Sequence, residues 1–486
     1  MATQEHGGKA SADPAFADAE PSAISAESRC SLGQNDSQTE PKSKIAPGHE
    51  KVWEGEEQAS QFVRPAVYGF FAPGFSAWRK EYMVFMARVT FMVILLMWAT
   101  LPAFWGALAD APKLTGKLTT WFVDRDNSRV GHALWDGISN SSGGGPSLGW
   151  VAVDPSMAGT NDDIAAAIVG ESAWMAVVVE ANATSRLAFA RENGDRSYDP
   201  TSAVTVYYAQ ARHEVAVGSY LLPIAQSTLK SVMTGWATSA AQRYFAQISP
   251  GSTVNATALQ MLSVAPQTIS PAIDYRMVNL RPYTTPAALA VTLVGNIFLI
   301  IFAFFTVMAH NHARIAIAPR LDLWSYCGVR IAVPLIMYLP LSLSFTLISL
   351  AFHLPFGGKY SFGTGFIVAW AYTYLGMMAL GLSLESMITI LRANFVPFFL
   401  FPLIVFNVAP VLLPDELQNP LFMYGQGFPV PNLSQAMRTI FFNTQHDPGR
   451  NAGVLFGWIL LSTATLVLFT ILMHRREQRA LVIHHH

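Results

Sequence analysis

The chain has 486 residues, 51% of them hydrophobic and only 13% charged, about half the charged fraction of an average soluble domain. Thirty-one Lys+Arg stand against 32 Asp+Glu, a formal net charge of −1, which removes any global electrostatic case for nucleic acid as a partner. Two cysteines, Cys30 and Cys327, exclude a disulfide framework and a four-cysteine zinc site, and the mean hydropathy of +0.31 points to a membrane.

Residues 1–60 are rich in Ala, Ser, Glu, Gln and Gly and nearly devoid of aromatics. Such a segment cannot bury enough apolar surface to offset its ordering entropy, so a disordered cytosolic tail is expected. Residues 61–88 gather Phe62, Tyr68, Phe70, Phe71, Phe75, Trp78, Tyr82 and Phe85 around Pro65, Pro73 and Gly74. With Arg79 and Lys80, this composition predicts an elbow lying in the headgroup layer.

A helix needs ~20 largely apolar residues to cross ~30 Å of hydrocarbon. Six runs free of Asp, Glu, Lys and Arg meet that length: 89–109, 287–309, 331–352, 366–384, 395–413 and 452–473. Pro397, Pro402 and Pro410 interrupt the fifth, which membrane helices tolerate when neighbours satisfy the freed carbonyls. The first run begins only at Val89, too late for a cleavable leader, and reads as a signal anchor. Arg79, Lys80, Arg88, Arg314, Arg320, Arg330, Arg392, Arg475 and Arg476 then flank the runs on one side, against fewer cations on the other. This bias predicts that both termini, including residues 474–486, are cytosolic. The glycosylation sequons at Asn140, Asn182, Asn255 and Asn432 would all be exported, whereas Asn35 would stay inside.

Residues 110–285 are the only segment between runs long enough for a core of its own. Strand patterns at 119–124, 147–153, 172–180 and 203–210 alternate with helical ones at 128–138, 160–170 and 214–246. The reading is an exported α+β domain between the first and second membrane helices. Loop 418–450 contains Gly425, Gly427, Pro429 and Pro431 before an amphipathic stretch, NLSQAMRTIFF (432–442), too short to span. A re-entrant or surface-lying helix on the outer side is expected. The fold class is thus a polytopic α-helical membrane protein of six transmembrane helices with one exported α+β domain.

Chemistry is sparse. Gly116-Lys117 and Gly358-Lys359 lack the remainder of a phosphate cradle, and there is no HExxH metal motif. No catalytic constellation stands out, so neither an enzyme nor a cofactor is expected. Asp124-Arg125-Asp126, with Asp136, could hold a cation but reads first as an aspartate-rich turn. His310 and His312 face apart at i,i+2 and suit an interface. Glu385 and Arg392, seven apart at the inner mouth of the fourth and fifth runs, would share a helix face if the helix continued, as a gating ion pair or a surface pair. Asn296 and Asn407 are deep amides that either tie helices together or line a polar path.

One helix, a large outer domain, five more helices and a short outer segment before the last resemble the ABC-2-type permease architecture. More narrowly, WFVDRDNSRVG (121–131), SAWMAVVVEANATSRL (172–187), VTVYYAQARHEVAVGSYLLP (204–223) and PNLSQAMRTIFFN (431–443) are similar to the fungal nitrosoguanidine-resistance-type membrane proteins. The resemblance implies a plasma-membrane permease that exports, or confers tolerance to, toxic hydrophobic compounds, with lipids as partners. It also implies pairing as a homodimer and a separate ATPase subunit, since no nucleotide-binding domain is fused. The alternative is a non-transporting scaffold that organises membrane lipids or proteins through its tail.

Overall fold

Helix α1 (Ser76–Ala109) opens the helical bundle that the apolar runs build. The structure is a computed structural model and describes residues 68–141, 145–249, 254–445 and 447–484. The tail 1–60, Asn35 and Cys30 lie outside the described residues. Residues 68–75 belong to a separate unit, a turn closed by Ala72 N donating to Gly69 O at 2.9 Å. From Ser76 onward the chain forms a second unit. The elbow expected to reach residue 88 stops short of it, because Pro73 and Gly74 precede α1 and no breaker follows before Pro102.

The first domain of that unit is a five-stranded sheet in the order β2-β1-β3-β4-β5. Its strands are β1 (Thr119–Asp124), β2 (Gly149–Val153), β3 (Met175–Val179), β4 (Val204–Tyr208) and β5 (Tyr275–Asn279). Only β3 and β4 pair antiparallel. Helices cover both faces. Leu134 of α2 (Arg129–Asn140), Leu187 of α4 (Ala183–Asn193) and Leu229 of α5 (Leu222–Ile248) pack with Phe122, Val177 and Val206 on one side. Ile164 and Ile168 of α3 (Asn161–Val169) pack with Val123, Ala176 and Val178 on the other. Strand β3, MAVVV, is buried on both faces, which explains its unbroken apolar run. The domain expected to be α+β is therefore a three-layer α/β/α sandwich. Helix α3 starts with a reciprocal capping box between Thr160 and Asp163, and a short α6 (Ala256–Val264) precedes β5.

The bundle follows. Besides α1, it comprises α7 (Gly295–Ile315), α8 (Leu323–Ala351), α9 (Phe362–Val408) and α11 (Pro448–His484), with a shorter α10 (Pro429–Phe442) between the last two. Among the described residues, five helices are long and apolar enough to cross a membrane, and they carry the six apolar runs. Their outward faces are apolar: Phe91, Trp98, Phe305, Ile336 and Leu460 are all exposed. The protein is therefore membrane-embedded and polytopic.

Helix α9 holds two runs because it breaks at Arg392, whose backbone lies at φ 58°, ψ 160°. Before the break Glu385 meets Arg314 and Arg330, near the end of α7 and the start of α8. After it Asn407 accepts a hydrogen bond from Val430 N at the opposite end of the bundle, where Ser434 donates to Thr292 O. Thr292 and Arg314 are separated by about 33 Å of helix rise. Helix α9 also begins at the Thr292 end, where Lys359 N donates to Ile440 O of α10 and Gly376 lies against Leu433, so α9 turns back on itself at Arg392. That conformation is costly for any residue with a Cβ. Arg392→Gly should stabilise the protein by about 1 kcal/mol, read as a higher thermal midpoint in detergent, with Arg392→Ala unchanged as the control.

Helix α10 departs from one of its two expected placements, the surface-lying one. Every residue of it but Gln435 is buried. It is an interior helix, wedged against α9 and α11 and against the sandwich domain, instead of lying on a surface.

Candidate functional site

Glu385 is wholly buried, on the first half of α9, and gathers cations from two neighbouring helices. Arg330 Nε donates to Glu385 Oε1 at 2.8 Å, its Nη2 to the Glu385 carbonyl at 2.5 Å and its Nη1 to Thr470 Oγ1 of α11 at 2.8 Å. Arg314 Nη1 donates to the same carboxylate oxygen, and its Nη2 to Asn311 Oδ1 at 2.7 Å. His310 Nδ1 stands 3.8 Å from Glu385 Oε2. Arg314 and Arg330 are 5% and 1% exposed, so both guanidiniums sit inside the protein. The carboxylate thereby ties α7, α8 and α9 at one level, and Arg330 extends the tie to α11. Glu385 Oε2, both His310 ring nitrogens and the Tyr338 hydroxyl are buried with no hydrogen-bond partner among the described residues. Tyr338 lies against Gly381, where a Cβ would collide with its hydroxyl. A cavity of about 580 Å³ adjoins the cluster and is lined by Arg314, Arg330, Thr389, Thr470 and His474.

This arrangement corrects two sequence expectations. Glu385 pairs with Arg314 and Arg330 instead of Arg392, because the helix that would align residues 385 and 392 ends at the break. Arg392 instead lines a separate cavity with Met92, Met387 and Phe398. His310 is buried and faces Glu385, whereas His312 is exposed. Arg314 and Arg330 were legible only as charges flanking apolar runs. The usable signal was that Arg330 stands directly before the third run and Glu385 directly after the fourth.

Asn296 and Asn407 are buried with their amides bonded. Asn296 Nδ2 donates to Val291 O at 3.0 Å across the wide turn before α7, and Asn407 Nδ2 to Leu403 O at 2.9 Å. Asn407 also anchors the first turn of α10 through Val430 N. Asn407 thereby ties α9 to α10, whereas the Asn296 bond stays within its own helix.

A second polar site lies where the sandwich meets the bundle. Arg212 stacks over Trp174 with its Cζ 3.7 Å from the ring centroid, and donates to Glu416 Oε1 at 3.3 Å. Trp174 Nε1 donates to the same oxygen at 3.2 Å. Glu214 receives both Nη groups of Arg438 from α10, and Arg281 Nε donates to Asn443 O at 2.8 Å. Burial alone would raise the Glu214 pKa, but Arg438 and His213 hold it below its ordinary value. Glu171 shifts the other way: burial pushes its carboxyl up against the pull of Arg212. A cleft of about 350 Å³ lies between these residues.

The remaining candidates are structural. Asp124 accepts the amides of Asp126 and Asn127, and Asp126 accepts Thr184 N and Oγ1, so the aspartate turn is internally bonded. Among the described residues, no group of three or more His, Cys, Asp or Glu could hold a metal ion. Contrary to the expectation that the chain has no serine-hydrolase elbow, Gly145-Pro146-Ser147-Leu148-Gly149 does have its spacing, but it leads into β2 instead of turning from a strand into a helix. Asn140, Asn182 and Asn255 are exposed. Asn432 is 2% exposed and donates to Gln426 O and Phe428 O, so the fold leaves no room for a glycan there. Asn432→Gln should leave the glycoform pattern on gels unchanged, whereas Gln at the three exposed sequons should remove whatever glycans are present.

A family model described as a protein of unknown function, DUF3533, matches residues 89–464. That range spans the sandwich, the interior helix and the Glu385 cluster, leaving Thr470 beyond it. An uncharacterized endoplasmic reticulum membrane protein of Saccharomyces cerevisiae is 26% identical over 451 residues, covering 86% of each chain. No solved structure matches. The match covers most of the chain and its candidate site alike: the protein belongs to the DUF3533 family.

Proposed function

We propose that the protein is a permease-like membrane protein that moves amphipathic compounds or lipids, with the Glu385 cluster and its cavity as the solute site. The observation that carries this reading is the placement of two guanidiniums, one carboxylate and four polar atoms without a hydrogen bond among the described residues inside membrane-spanning helices. Ionisable groups buried among membrane-spanning helices are expensive and mark solute paths when they border a cavity. The resemblance to nitrosoguanidine-resistance-type and ABC-2-type proteins supports a role in tolerance of toxic hydrophobic compounds. Pairing as a homodimer and a separate ATPase subunit belong to the same proposal.

In this reading the chain crosses the membrane six times. Helix α9 would be about 70 Å long if straight, over twice the ~30 Å of hydrocarbon, and its turn at Arg392 supplies two crossings. The tails are cytosolic, the sandwich is exported, and the Glu385 cluster lies toward the cytosolic side. The yeast relative resides in the endoplasmic reticulum, so that membrane is the first compartment to examine and the plasma membrane the second.

The test is accumulation of a labelled hydrophobic toxicant in a sensitive fungal strain with and without the protein. Lower accumulation with the wild type, abolished in Glu385→Gln at equal protein level, is expected. Equal accumulation in all three would refute the permease reading.

A further inference from the structure

Two guanidiniums face one carboxylate in the buried cluster, which leaves a positive charge in excess. The neighbouring cavity receives that excess. Arg314 and Arg330 line it, no carboxylate does, and Asp322 between the lining residues Leu321 and Leu323 spends its carboxylate on capping Trp324 N and Ser325 N. An unmatched charge in a low-dielectric interior requires an anion. The hydrogen-bonding inventory matches one that is rich in oxygen. Each guanidinium retains N–H groups beyond those bonded to Glu385, Thr470 and Asn311. Thr389 Oγ1 is buried without a partner, and His474 lines the same space.

We propose that this cavity binds a phosphate group, held by Arg314 and Arg330, with its source the headgroup of a phospholipid. Guanidinium forks match phosphate oxygens in geometry and charge. Arg314 lies in the last turn of α7 and Arg330 in the second turn of α8, so the cavity sits at the ends of the spans, the level of lipid headgroups. Leu321, Leu323 and Ile388 supply apolar wall beside it. A soluble phosphate would satisfy the guanidiniums but leave that wall unused. The inference rests on reading the cluster as the functional site, and it concerns binding, which is measured separately from transport.

The test uses the purified full chain in detergent, with native mass spectrometry of retained phosphatidic acid against phosphatidylcholine of the same acyl length. The wild type should retain phosphatidic acid about tenfold better, about 1.4 kcal/mol. Arg314→Gln removes the excess charge yet leaves Arg330 paired with Glu385, and should abolish the preference. Leu321→Trp fills the cavity with every charge in place and should also abolish it, which keeps the test decisive if Arg314→Gln fails to fold. Displacement by inorganic phosphate would assign the same chemistry to a soluble anion, and its failure to displace would fix the lipid as the source. Equal retention of both lipids by the wild type, or an unchanged preference in Leu321→Trp, would overturn the proposal. Selective retention without toxicant transport would refute the permease reading alone.

Discussion

Glu385→Leu is expected to destabilise the protein by about 3–5 kcal/mol, because it leaves two buried guanidiniums without their counter-charge. The bonds at stake join α7, α8, α9 and α11 at one level, so the loss should appear as a lower thermal midpoint and early opening of the bundle at that end. Arg314→Gln provides the comparison. It removes one charged hydrogen-bonding partner and leaves a matched pair, so its cost should be about 1.5–3 kcal/mol. An order in which Arg314→Gln is the more damaging would show that the carboxylate is not the shared anchor.

Arg438→Met should have an effect of similar size at the opposite end. Arg438 is 3% exposed and gives both Nη groups to Glu214. Without it a buried carboxylate is left against α10, at about 3–5 kcal/mol, and the double variant Glu214→Met/Arg438→Met should recover part of that. The pH dependence separates the two. In the wild type Glu214 has a lowered pKa, so its contribution is fully present above the ordinary carboxylate value of 4.5 and is lost as pH falls through the lowered one. In Arg438→Met the burial that raises the pKa loses its main opponent. Relative to the wild type, in which the Glu214 contribution is flat there, that variant should therefore gain stability as pH drops toward 5.

The elements legible in the sequence are those whose pattern reflects one environment. Strand β1 was readable from β-branched and aromatic residues, β3 from an apolar run, and α3 from its capping box. Strand β5, YRMVN, escaped because it lies at the sheet edge, where Arg276 and Asn279 reach partners on β4 and its loop. The surface-lying alternative for α10 failed for a different reason. Its polar residues resemble a solvated face, yet Asn432 caps backbone carbonyls, Ser434 donates to Thr292 O and Arg438 to Glu214. A polar face bonded to protein looks the same in sequence as one bonded to water.

The Glu385 site was hidden by the same ambiguity. Charges at the ends of apolar runs normally mark the membrane boundary, and Arg314 and Arg330 fit that description. Their meeting with Glu385 depends on three helices arriving at one level, which no local pattern announces. Periodicity reports which face of a helix is apolar. It does not report which helix stands opposite.

Six crossings, with the sandwich on one side of the bilayer and the Glu385 cavity toward the other, are the claim on which the permease reading depends. Protease protection of epitope tags at the two termini in sealed membranes tests it most directly, together with a single cysteine at Asn182 after Cys30 and Cys327 are replaced by serine. Both tags on one side, and the residue-182 cysteine reached by an impermeant maleimide only from the other, is the predicted result. Tags on opposite sides would mean an odd number of crossings and would contradict it.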